Sequence, residues 1–280
     1  MTAAPLTATP TSAPAPARGG VTFGRVLASE WIKFRTVRAT LWTLPLTAVA
    51  MVGLAVLQAW GVSMLEYTEE YAAVDIVSSG TFLGQVVVAV LAVLTITGEY
   101  STGQIRSSLT AVPRRVPVLA AKAILIFVSV FVVSVVSLAL SWLGSLPFFA
   151  GMDMTLDLGD PQTQRVLLGA ALYLATISLF AFAVGALLRH SAGALTLVLG
   201  LLLVLENVFS ALPFRFFEVV SPFLPSTAGS RVQFTDDSIA NLDAMTQGAH
   251  LGPWQGYGVL VAWVVLLLVP AAVLMRRRDA

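Results

Sequence analysis

The chain has no cysteine among its 280 residues and only two histidines, His190 and His250. The first absence excludes disulfides, a thiol nucleophile and thiolate metal ligation. The second leaves little for imidazole ligation, so no metal site is expected. Charge is also scarce: charged residues make up 11% of the chain, against about a quarter in soluble globular domains. Catalytic motifs are missing too. Gly98 and Gly103 have the glycine spacing of GxxxxGK[ST], but Gln104 and Ile105 stand where a lysine and a hydroxyl must reach phosphate and Mg²⁺. There is no HExxH, and no Ser, His and Asp gather at one membrane depth, so no catalytic residue is assigned and the chain is not expected to be an enzyme.

What the chain has is apolar length. Hydrophobic residues make up 57% of it, in runs of about 20, enough to cross a hydrocarbon core of about 30 Å as helix, and no alternating strand pattern competes. The expected fold is all-α: a polytopic membrane helix bundle of six transmembrane helices preceded by an interfacial amphipathic helix. Residues 1–20, rich in Ala, Pro and Thr, read as a disordered cytoplasmic tail without the apolar core of a signal peptide. Residues 21–280 read as a single transmembrane domain. Its interfacial helix is expected at 22–40 and its spans at about 41–62, 76–98, 118–143, 165–188, 191–212 and 256–275.

In the interfacial helix, Phe23, Val26, Leu27, Trp31, Phe34 and Val37 recur with a period of 3.6. Arg25, Lys33, Arg35 and Arg38 suit an anionic leaflet, and Trp31 suits the headgroup region. Glu30 breaks the pattern. At about 100° per residue it falls inside the apolar stripe, where an unpaired carboxylate is costly. Arg114 and Arg115 are its candidate partners; the other reading has Glu30 snorkel to water.

Within the spans, Pro45 is expected in a first helical turn, and Gly80 and Gly84 have the GxxxG spacing of close helix approach. Ser134, Ser137 and Ser141 share one helix face and are candidates for a polar substrate path, as is the intramembrane carboxylate Glu206. Helix packing through small residues accounts for the serines more simply. About 15 residues into its span, Glu206 lies close to an interface. His190 belongs to the short turn between spans four and five. The polar stretch 213–255 opens with FRFFEVVSPFLPS, which is too apolar for a solvated loop and reads as re-entrant or interfacial.

With six spans and a cytoplasmic amino terminus, Arg18, Arg25, Lys33, Arg35, Arg38, Arg106, Arg114, Arg115, Lys122, Arg189, Arg276, Arg277 and Arg278 are cytoplasmic. Only Arg165, Arg215 and Arg231 of the 16 basic residues fall on the other side. The positive-inside rule supports that orientation, with both termini in the cytoplasm.

The most informative stretch interrupts two apolar runs: GEYSTGQIRSSLTAVPRRVPVLAAK, Gly98 to Lys122. Ile105, Leu109 and Val112 fall on one face of a short helix, and Pro113 stops it. This stretch resembles the loop between spans two and three in the permease subunits of six-span bacterial ABC exporters, and EWIKFRTVRATLW, Glu30 to Trp42, resembles their interfacial helix. The resemblance runs from Phe23 nearly to the end. It implies a coupling loop, 99–117, that docks on a separate ATPase. Glu99, Gly103, Gln104, Ile105, Arg106, Leu109, Pro113, Arg114 and Arg115 would form it, with Glu30, Trp31, Lys33, Phe34 and Arg35 on the interfacial helix beside it. The resemblance further implies a second permease subunit, identical or different, contact with membrane lipid, residence in the bacterial cell membrane, and no cofactor bound by this chain, because ATP and Mg²⁺ sit on the partner. Nucleic acid is not an expected partner. A membrane anchor or sensor that binds a cytoplasmic protein without transport is the alternative; a secondary transporter is disfavoured, since ionisable residues at the bilayer midplane are wanting.

Overall fold

A computed structural model describes residues 22–65, 71–101, 103, 115–212, 214–245 and 248–277. The expected tail 1–20, acidic residues Glu66, Glu69 and Glu70, Arg278, and positions Gln104, Ile105, Arg106, Leu109, Pro113 and Arg114 lie outside the described residues. No strand occurs among those described. Six helices are long and apolar enough to cross a membrane: Thr40–Val62, Ala73–Ser101, Val116–Phe149, Pro161–Leu188, Ser191–Ala211 and Pro253–Arg276, called spans one to six here.

The amino-terminal helix is shorter than its periodicity suggests. It covers Phe23–Thr36, Val37 is extended, and a new helix starts at Arg38 and runs to Val62. Pro45 therefore lies in a third turn of the span-one helix, not in its first. The span-three helix, Arg115–Phe149, continues beyond Leu143 because Phe149 still has a buried seat and Gly144 fits against Val56.

Spans two and four are the middle of the bundle. In their most apolar windows 67% and 78% of residues are buried, against 22–28% in the other four spans. Small residues permit this. A Cβ on Gly80 would stand 2.1 Å from the Met51 carbonyl oxygen, and one on Gly185 would stand 2.8 Å from Ile96. These glycines bring span two against spans one and four. Asp160 caps the span-four helix by accepting from the Thr163 amide at 2.8 Å, with Pro161 at its first position. That bond holds the Asp160 carboxyl below the usual carboxylate range. The helix ends at Arg189, whose φ of 56° is left-handed, and His190 caps the next by accepting from the Gly193 amide.

The amino-terminal helix marks one end of the bundle, the near end. At the far end, Arg215–Val220 buries none of its residues, and Phe214, Phe216, Val219 and Phe223 are exposed. The chain packs into the bundle from Ser221 to Gln233. Pro225–Gly229 and Ser230–Gln233 lie between spans four and six. There a Cβ on Gly169 or Gly256 would meet the carbonyl oxygens of Val232 and Ala228 at 2.3 and 2.2 Å.

Candidate functional site

Three helices meet at the near end through buried charge. Val26, Glu30 and Phe34, four residues apart, are the buried line of the amino-terminal helix, which lies against the span-three helix. Lys122 of that helix places Nζ 2.5 Å from Glu30 Oε2 and 2.6 Å from Glu99 Oε1. Lys33 reaches Glu30 Oε1 at 2.7 Å and stands 4.0 Å from Glu99 Oε1. Glu30, Glu99 and Lys122 are 3%, 7% and 5% exposed. Glu99 occupies the last turn of the Thr81–Ser101 helix, where the carbonyl end of the dipole disfavours a carboxylate; the Lys122 ammonium offsets that. Buried ions of this kind persist because they are paired, and each becomes costly when its partner is removed.

Among the described side chains, Lys33 and Lys122 reach Glu30; the side chains of the expected partners Arg114 and Arg115 lie outside them. Arg114 lies outside the described residues, and Arg115 opens the span-three helix. Gly103 has a φ of +71°, a left-handed conformation two residues past the span-two helix that glycine adopts without strain. Trp31 is exposed and stacks at 6.4 Å on Phe34, and Arg35 is exposed. The network joins the amino-terminal helix to the residues on both sides of the stretch 102–114. Beside it lies a cavity of about 460 Å³, walled by Phe34, Val37, Leu91, Leu94 and Leu125, with Glu30, Lys33, Glu99 and Lys122 in its lining.

The candidate path residues are in other surroundings. Ser134, Ser137 and Ser141 are fully buried within the packing of this chain, and the Ser137 hydroxyl donates to the Val133 carbonyl. Ser134 Oγ and Ser141 Oγ are buried without a hydrogen-bond partner. Glu206 follows a π-helical turn, Gly200–Leu205. Its carboxylate accepts from the Ser226 amide at 3.0 Å and from the Thr227 amide and hydroxyl at 2.6 and 2.8 Å. Close by, the Tyr173 hydroxyl joins Gln85 Oε1 at 2.5 Å and Ser226 Oγ at 2.8 Å. Glu206 thereby anchors the start of the far-end segment.

A family model described as ABC-2 family transporter protein matches residues 26–207, more than half of the chain. The chain belongs to the ABC-2 transporter family. It is accordingly a permease component of an ABC transporter and a multi-pass membrane protein, and the family associates with an ABC ATP-binding subunit. The ABC-2 match opens in the helix that carries Glu30 and contains all four residues of the charge network; the buried segment 221–233 lies beyond it. No curated protein matches the chain.

Sequence reasoning about this ABC-2 permease counted Lys122 as a cytoplasmic anchor and missed its pairing. The signal was there: Lys122 is a lone cation within VPVLAAKAILIF, and an ammonium in an apolar run calls for a counter-ion. Gln85 and Tyr173 carried no such signal, because their partner Ser226 is distant in sequence. Arg231, which donates to Asp243 and to the Leu251 carbonyl, was likewise counted only as a charge.

Proposed function

We propose that this chain is the membrane-spanning subunit of an ATP-driven exporter, coupled to a separate ATP-binding subunit through residues 99–117. The observation that carries the reading is the Glu30–Lys122–Glu99 network. It fastens the amino-terminal helix to the end of span two and the start of span three, the two places from which the stretch 102–114 departs. A force applied to that stretch by the ATPase reaches both spans and the amino-terminal helix together. The near end is then cytoplasmic, as are both termini, in a bacterial cell membrane. Two such subunits, identical or different, enclose the path. ATP and Mg²⁺ are held by the partner, and this chain contributes no catalysis.

Ile105 and Leu109 supply the apolar contacts, each worth roughly 1.5–3 kcal/mol when fully covered, and Arg106 sets encounter and orientation. The test is the double variant Ile105→Asp/Leu109→Asp, expressed with the ATP-binding subunit. Insertion is expected to be unchanged, while co-purification and transport-linked ATP hydrolysis fall sharply. Leu158→Asp, at an exposed far-end position, should leave both intact. A double variant that keeps its ATPase favours the anchor reading instead.

A further inference from the structure

The near-end cavity has features that the coupling role does not use. Its lining combines apolar Phe34, Leu91, Leu94 and Leu125 with the charged Glu99 and Lys33 and with Thr95 and Ser191. Glu99 Oε1 takes the Lys122 ammonium, but Glu99 Oε2 is buried with no hydrogen-bond donor. A buried carboxylate oxygen without a donor forfeits a charge-assisted bond. Lys33, 28% exposed along its side chain, holds positive charge on the accessible side of the same network. Val37, 47% exposed and in the break between the amino-terminal helix and span one, lies at the rim, so the cavity opens where the interfacial helix turns into the bilayer.

We infer that this cavity binds a phospholipid with a primary-amine headgroup, of the phosphatidylethanolamine class. The ammonium donates to Glu99 Oε2, the phosphodiester faces Lys33, and the first acyl carbons lie along Leu91, Leu94 and Leu125. Among the described residues the two carboxylates and two ammonium groups of the network balance, so a zwitterionic headgroup adds no net charge. A cavity of about 460 Å³ is within the usual size of ligand sites. Glu99 Oε2 is shielded from solvent, so binding requires side chains of the lining to shift.

The test is a headgroup methylation series on the full-length protein, delipidated in detergent and titrated with phosphatidylethanolamine, its mono- and dimethyl derivatives, and phosphatidylcholine. Bound lipid is counted by native mass spectrometry. Retention should fall as N–H donors are removed, with phosphatidylethanolamine held about tenfold more tightly than phosphatidylcholine. Glu99→Gln should abolish that preference. If this variant does not fold, the methylation series on the unaltered chain decides alone. Equal binding of the ethanolamine and choline lipids overturns the assignment, as does an unchanged preference in folded Glu99→Gln. Soluble phosphoethanolamine competing as well as the lipid overturns the lipid as the source of the amine.

Discussion

The two ends of the bundle bury carboxylates in different ways. At the near end Glu30 and Glu99 are neutralised by the side chains of Lys33 and Lys122, contributed by separate helices. At the far end Glu206 is held by two backbone amides and a hydroxyl from adjacent residues of one segment. Side-chain ion pairs can separate and re-form as helices shift, but amides aimed at a carboxylate fix a segment in one place. The near-end charges thus tie three helices together, and the far-end carboxylate holds one segment. This division suits a permease driven from one side.

The comparison breaks most readily at Lys122. Lys122→Met leaves Glu30 and Glu99 buried together without their shared cation, a change expected to cost about 3–5 kcal/mol, read as a loss of thermal stability in detergent. Adding Glu30→Gln and Glu99→Gln to it should recover most of that loss. A triple variant no better than the single one shows that charge is not what holds these helices. At the far end, Gly256→Val drives a side chain into the Ala228 carbonyl and should cost about 1–3 kcal/mol. Because the chain has no cysteine, Ala228→Cys, buried in the parent, gives a single thiol whose labelling should accelerate in that background.

Smaller effects sharpen the contrast. Glu206→Gln keeps the shape but turns an amide toward a donor at Ser226 or Thr227, so a loss of about 1–2 kcal/mol is expected, with the near-end network undisturbed. Asp160→Ala should have the least effect, with a defined pH dependence. The folded-state pKa of Asp160 is lowered, so its contribution is present above the ordinary carboxylate pKa and is lost as pH falls through the lowered one. Parent and variant melting temperatures should differ at neutral pH and converge in acid.

The six spans were legible because hydrophobic length is a local property of sequence, and so was the place of Glu30 within an apolar stripe. Its partner was not. Lys122 lies 92 positions away, and which cation reaches a carboxylate depends on how helices cross. The packing of Ser221–Gln233 into the bundle was not legible either, for a related reason. FRFFEVVSPFLPS has the more apolar composition, but Pro225–Gln233 has the small residues and backbone groups that fit against Gly169 and Gly256. The break at Val37 was invisible because the helical period continues through it.

The central claim is that the near end carries the ATP-binding subunit, and the cysteine-free chain allows a direct test. Single thiols introduced by Ile105→Cys at the near end and Leu158→Cys at the far end would each be treated with a short thiol-to-amine crosslinker in membranes containing the ATP-binding subunit. The account predicts a crosslinked pair from position 105 and none from position 158. A crosslink from 158, or none from 105 while the complex remains assembled, contradicts it.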